Sequence, residues 1–206
     1  MIAIADYGVG NIFSLKSSLA YLGEEAVLTA DPEVFRQADH LILPGVGAFG
    51  DAAEKLRQSG FAEVIREEAG RGKPLLGICL GMQLLLEKSF EYGEHVGLGL
   101  IPGEIVGIEG QLTDPELKVP QMGWNALQYP PERAKSRLYQ GVAEGEFVYF
   151  VHSFCAVGSG DCLSAYVDYS FPVTASVEKE NVYGVQYHPE KSGETGLKIL
   201  KNFCTL

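Results

Sequence analysis

Two hydrophobic periods alternate along the chain. Residues 2–6 (IAIAD) form a continuous apolar run ended by Gly8 and Gly10, which predicts a strand buried on both faces of a parallel sheet. Ile12, Leu15, Leu19 and Leu22 then recur at three- and four-residue spacing, predicting a helix with Gly23 where a C-cap would stand. The alternation continues through a strand in EAVL, a short helical stretch after Pro32, and a strand in HLILP at residues 40–44. Two helical stretches on either side of Gly60 end near Gly70 and lead into the apolar run LLGI and a leucine-rich helix beginning near Leu80. Strands and helices at this pitch predict an α/β protein with an open, mostly parallel sheet flanked by helices.

After about residue 97 the texture changes. Glycine and proline become frequent, and the short runs EIVGI, EFVYF, CLSAYV, TASVE and VYGVQY predict additional, antiparallel strands in the C-terminal half. A final helix from Ser192 through Leu197, Leu200 and Cys204 would cover the sheet. With no Ser/Gly-rich linker, internal repeat or low-complexity stretch, residues 1–206 are expected to form one domain.

Composition narrows the function classes. A chain of 206 residues, 46% hydrophobic and 21% charged, has the balance of an ordinary globular domain with a substantial core. The net charge of -11 works against adhesion to phosphate backbones or anionic membranes, so neither nucleic acid nor membrane is an expected partner. No apolar run approaches the roughly 18 residues needed to span a bilayer, and Asp6 interrupts the N-terminal run; a cytoplasmic protein is expected. Cys79, Cys155, Cys162 and Cys204 include no C-x-x-C pair and no histidine at metal-ligand spacing, so neither a metal site nor a disulfide framework is expected.

One cysteine stands apart. KPLLGICLGMQLLL sets Cys79 between an apolar strand and a helix, in the pattern G-x-C-x-G-x-Q formed by Gly77, Cys79, Gly81 and Gln83. That is the form of a nucleophile elbow, where a sharp strand-to-helix turn pushes the nucleophile out of the sheet and small neighbours relieve the crowding. Partial positive charge and free N–H groups at a helix start favour thiolate over thiol, and the N–H of Leu80 would face a developing oxyanion. The alternative is a buried structural thiol.

A base is available near the C-terminus. VYGVQYHPEKS carries His188 and Glu190 at the end of an apolar strand, and in an extended segment such i, i+2 residues project to one side. Glu190 could accept the imidazole N–H that faces away from the sulfur, fixing the tautomer and stabilising an imidazolium. His40 and His95 read as ordinary core or surface residues; His152, in YFVHSF, reads either as a substrate contact or as a packed histidine.

Directly after the LIL run lies PGVGAFG, residues 44–50, at the carboxyl end of a strand, where open α/β sheets bind ligands. A backbone donor from it, such as the N–H of Val46, would complete with Leu80 an oxyanion hole worth roughly 3–4 kcal/mol per donor. An ordinary glycine turn is the competing reading. Gly8 and Gly10 begin a G-x-G-x-x-G pattern that fails at Phe13, and no G-x-x-x-x-G-K-[ST] loop occurs, so no nucleotide cofactor is expected.

GICLGMQLL, YGVQYHPEKS and PGVGAFG together resemble the class I (triad) glutamine amidotransferases over essentially the whole chain. DYGVGNI, GLGLIPG at residues 97–103 and PQMGWN at residues 120–125 resemble one branch of that family, the glutaminase subunits of imidazole glycerol phosphate synthases. The resemblance implies that Cys79 attacks the glutamine carboxamide, His188 acts as base and then acid, and Glu190 orients it. It further implies that Gln83 and the loop around Gly47 hold glutamine, with His152 and Ser153 beside its amino-acid end. Asn11, Met122 and Trp124 would meet a (β/α)8-barrel cyclase subunit in a heterodimer, and ammonia would pass to it through an enclosed route. Trp124 can also be read as a core aromatic at a strand start.

Overall fold

The computed structural model of the protein describes residues 1–9 and 12–206, so the expectation for Asn11 lies outside the described residues. The first half alternates β1 (Ile2–Ala5), α1 (Ile12–Tyr21), β2 (Ala26–Thr29), α2 (Pro32–Gln37) and β3 (His40–Leu43). It continues with α3 (Phe49–Gln58), α4 (Phe61–Gly70), β4 (Leu75–Ile78) and α5 (Leu80–Leu85). The second half is mostly strand: β5 (Lys88–Ser89), β6 (His95–Val96), β7 (Glu104–Gly107), β8 (Gln121–Ala126), β9 (Phe147–His152) and β10 (Phe154–Val157). Then come β11 (Leu163–Asp168), β12 (Pro172–Lys179), β13 (Val182–Val185) and the closing helix α6 (Gly193–Cys204).

The main sheet has seven strands in the order β11-β12-β13-β4-β3-β1-β2. The five strands from β2 to β13 run parallel, and β12 and β11 add an antiparallel edge. Because side chains on a strand alternate faces, consecutive residues feed two separate cores. Ala3, Ala5, Leu41, Leu43 and Leu75 pack with Phe35, Phe49, Leu56, Phe61 and Ile65 of α2, α3 and α4. Ile2, Ile4, Ile42, Leu76 and Ile78 pack with Leu15 and Leu19 of α1 and with Ile199, Leu200 and Phe203 of α6. A run apolar at every position is therefore what this sheet requires, since both of its faces are covered.

Two smaller sheets are added. One has the order β10-β7-β5-β6, and the other is the antiparallel pair β8-β9. The predicted architecture holds: a mostly parallel central sheet, flanking helices, and antiparallel strands in the C-terminal half. Among the described residues no helix is long and apolar enough to cross a membrane.

Candidate active site

The sheet order brings three chain segments together. β3, β4 and β13 are adjacent parallel strands, with Leu43 opposite Gly77 and Val185 opposite Ile78, so the chain leaves all three at the same carboxyl edge. The PGVG segment follows β3, Cys79 follows β4, and His188 lies three residues beyond the end of β13.

Cys79 sits in a sharp turn, with φ 54 and ψ -113. A non-glycine residue at such angles is strained, and the neighbours hold it there. A Cβ on Gly81 would lie 1.9 Å from the Leu43 carbonyl oxygen, and one on Gly77 would lie 2.7 Å from the Gly81 oxygen. The backbones of β3, β4 and the turn are thus pressed together, as the flanking glycines of an elbow predict. The Cys79 N–H donates to Val185 O at 2.8 Å, tying the turn to the strand that carries the histidine. The helix after the elbow is only six residues long and wholly buried.

Gln186 lies beneath the sulfur, a residue that the sequence reading passed over. Its Nε2 donates toward Cys79 Sγ at 3.8 Å, while its Oε1 accepts from Gln83 Nε2 at 3.0 Å. Gln83 Nε2 also donates to the Phe154 carbonyl at 3.2 Å. A glutamine donating to one neighbour and accepting from another has its amide orientation fixed, here with the N–H side toward the thiol. Tyr7 is also in this neighbourhood: its hydroxyl donates to Pro44 O at 2.7 Å, anchoring the start of the glycine loop. Burial, reinforced by the charge of Cys79, keeps that phenol protonated.

His188 Nδ1–H donates to Glu190 Oε1 at 2.8 Å, leaving Nε2 for the sulfur. Burial pushes the imidazole down, yet hydrogen bonds with Cys79 and Glu190 outweigh it and lift His188 to about 9. This contact is not made along the extended strand that the spacing predicts. β13 stops at Val185, and Pro189–Lys191 is a 3-10 turn with His188 as its N-cap residue, so the two side chains meet across a tight turn and not along an extended strand. His188 is held by its own N–H to Tyr149 O at 2.9 Å and by Ser192 Oγ, which donates to its carbonyl at 2.6 Å.

A cavity of about 410 Å³ opens over Cys79. Val46, Gly47, Leu80, Gln83, His152, Ser153 and His188 all border it, so these expected residues share one space. Glu91 and Tyr92, which carry no sequence signal, border it as well, as do Pro120 of PQMGWN and Phe154 of YFVHSF. Glu91 is buried, and one of its carboxylate oxygens accepts the N–H of Phe49 at 2.6 Å, where the glycine loop becomes α3. Met122 and Trp124 lie outside the cavity on β8, with Trp124 60% exposed and packed edge-on against Tyr149. That exposure overturns the core reading of Trp124. Among the described residues, no group of three or more His, Cys, Asp or Glu side chains is placed to hold a metal ion.

Residues 3–206 match the family described as Glutamine amidotransferase class-I. Proteins named "Imidazole glycerol phosphate synthase subunit HisH" are similar along nearly their whole length. The one from Wolinella succinogenes is 49% identical, with 100% of both chains covered, and the one from Lacticaseibacillus casei is 50% identical over 98% of this chain and 94% of its own. Among solved structures, one titled as a glutamine amidotransferase superposes with a TM-score of 0.74 at 18% identity, covering 99% of this chain and 100% of its own. PurLQS from Thermotoga maritima superposes with a TM-score of 0.73 at 22% identity, covering 99% and 97%; at these identities the likeness speaks for the fold alone. With relatives this similar over this extent, the chain belongs to the class-I glutamine amidotransferases, in the family of imidazole glycerol phosphate synthase HisH subunits.

Proposed function

We propose that the chain is the glutaminase subunit of an imidazole glycerol phosphate synthase, acting through Cys79, His188 and Glu190. The observation that carries this reading is His188, paired through Nδ1 with Glu190, bordering the same open cavity as Cys79. With its proton retained up to about 9, His188 is an imidazolium at neutral pH, and the sulfur beside it is the nucleophile. Sulfur attacks the carboxamide carbon of glutamine. The C–O π electrons move to oxygen and meet the N–H groups of Val46 and Leu80. The C–N bond then breaks as His188 gives its proton to nitrogen, releasing ammonia and leaving a γ-glutamyl thioester. Water, deprotonated by His188, attacks that thioester and yields glutamate and the resting pair.

Gln83, His152, Ser153 and the Gly47 backbone border the bound glutamine in this reading. The ammonia passes through an enclosed route to a (β/α)8-barrel cyclase subunit, which forms imidazole glycerol phosphate and an aminoimidazole carboxamide ribotide in histidine biosynthesis. The exposed patch of Met122, Trp124 and Phe147 on β8 and β9 is the surface we assign to that partner. Large apolar side chains left in water on one small sheet suit a docking face. The whole chain serves as one amidotransferase domain.

The test is trapping of the covalent intermediate. Diazo-oxonorleucine, a glutamine-like electrophile, should modify Cys79 alone, because burial pushes the thiols of Cys155 and Cys204 up to about 12 and that of Cys162 upward too. Glutamine turnover should be slow for the chain alone and rise on addition of the cyclase with its nucleotide ligand. Labelling at another cysteine, or none, would refute the assignment of the nucleophile.

A further inference from the structure

Gln186 is wholly buried and does not border the cavity, so it meets the Cys79 sulfur from the core and not from the side that substrate enters. Its backbone N–H donates to Ala175 O at 2.8 Å, which continues the pairing of β13 with β12 and fixes where the side chain starts.

The direction of its amide follows from a carbonyl. Phe154 O can only accept, so the group that Gln83 places 3.2 Å from it is the amino end. The same Gln83 nitrogen lies 3.0 Å from Gln186, which must therefore present Oε1 to it. That leaves Gln186 Nε2 on the sulfur, at 3.8 Å. Turning either amide over would set two acceptors or two donors against each other.

A neutral thiol is a weak acceptor and a poor partner for a buried amide, since buried polar groups are as a rule paired. A thiolate is a far better one, because a hydrogen bond to an ionised group is shorter and stronger than one between neutral groups. The donor is held in place by other residues before any substrate arrives, so it is preorganised for charge on the sulfur. Its approach from the core leaves the sulfur lone pair on the cavity side for the carbon under attack.

We propose that Gln186 is a catalytic donor that holds Cys79 in its attacking thiolate form, with Gln83 as the latch that keeps the Gln186 N–H, and not its oxygen, on the sulfur. This deepens the glutaminase reading above and gives Gln83 a second task beside its contact with glutamine. Charge leaves the sulfur when the C–S bond forms and returns when the thioester is hydrolysed, so the donor is engaged most strongly at the start and end of each cycle. His188 and Tyr7 are the titratable groups close enough to act on the same charge, and Glu190 acts through His188.

The test follows the reaction of Cys79 with methyl methanethiosulfonate, a small reagent that thiolate attacks and thiol does not, between about pH 5 and pH 10, read at the Cys79 peptide by mass spectrometry. Gln186→Met keeps the length of the side chain and removes the N–H. Ionisation of the sulfur should then need a pH higher by about one unit, which leaves roughly tenfold less thiolate at the acid end. A less stabilised thiolate is also more reactive, by about threefold for a Brønsted coefficient near 0.5. Labelling should therefore slow about threefold in acid and quicken about threefold in alkali, a crossing of the two profiles that a merely loosened site would not give. Gln83→Met, which releases Gln186 Oε1, should move the profile the same way. An unmoved profile in Gln186→Met, or labelling slowed equally at every pH, would overturn the assignment; if that variant does not fold, Gln83→Met is judged by the same criterion. Labelling requires no turnover of glutamine. A profile that crosses as described, in a protein that releases no ammonia from glutamine with or without the cyclase, would overturn the glutaminase reading and leave the Gln186 donor standing.

Discussion

Replacing Glu190 with glutamine isolates the charge behind His188. Glu190→Gln keeps an oxygen for the Nδ1–H and removes the negative charge; the second carboxylate oxygen, Oε2, is buried without a partner among the described residues, so no other hydrogen bond is lost. The rise of His188 from 6.5 to about 9 amounts to roughly 3 kcal/mol of preference for the imidazolium. Cys79 and Glu190 together supply that rise against burial, so Glu190 accounts for only part of it; losing its charge should lower the His188 pKa and cost a fraction of that preference, on the order of 1 kcal/mol. The sign follows from linkage. A folded-state pKa above the unfolded one gives stability that is fully present below pH 6.5 and is lost as pH rises through about 9. The variant should therefore be destabilised most at pH 6, with the difference vanishing by about pH 10. Urea unfolding at pH 6, 8 and 10 measures this, and the alkaline limb of kcat/KM for glutamine should move to lower pH in parallel. A destabilisation equal at pH 6 and pH 10, with an unmoved limb, would refute the argument.

Two other substitutions test the frame and the docking face. Gly81→Ala would drive a Cβ to 1.9 Å from Leu43 O, a clash with backbone that no rotamer relieves, and a loss of at least about 2–3 kcal/mol in urea unfolding is expected together with loss of glutaminase activity. Trp124→Ala removes an exposed ring packed edge-on against Tyr149, which should cost under about 1.5 kcal/mol of stability yet weaken association with the cyclase about tenfold or more in a titration.

The parts of the site that could be read in the sequence are those set by the local backbone. Gly77 and Gly81 announce the turn at Cys79 because only residues without a Cβ fit between β3, β4 and the turn. The unbroken apolar runs announce a sheet covered on both faces, and its adjacent strands then bring the segments after Leu43, Ile78 and Val185 to one edge. What stayed hidden depends on contacts between distant segments. Gln186 touches Cys79 across 107 positions, Tyr7 reaches Pro44 across 37, and Glu91 reaches Phe49 across 42; none belongs to a repeating pattern. The two-residue strands Lys88–Ser89 and His95–Val96 are too short for any period to show. The i, i+2 spacing of His188 and Glu190 points to the pair but not to its backbone, because a 3-10 turn beginning at Pro189 brings such side chains together as an extended strand would.

In the function proposed here, Cys79 converts glutamine into ammonia for a partner. The direct measurement supplies the cyclase and its nucleotide substrate with Cys79→Ala in place of the wild-type chain, using glutamine in one reaction and ammonium salt in the other. Product formation from glutamine should disappear while formation from ammonium is retained at the wild-type rate. Undiminished synthesis from glutamine in the Cys79→Ala complex would contradict the account.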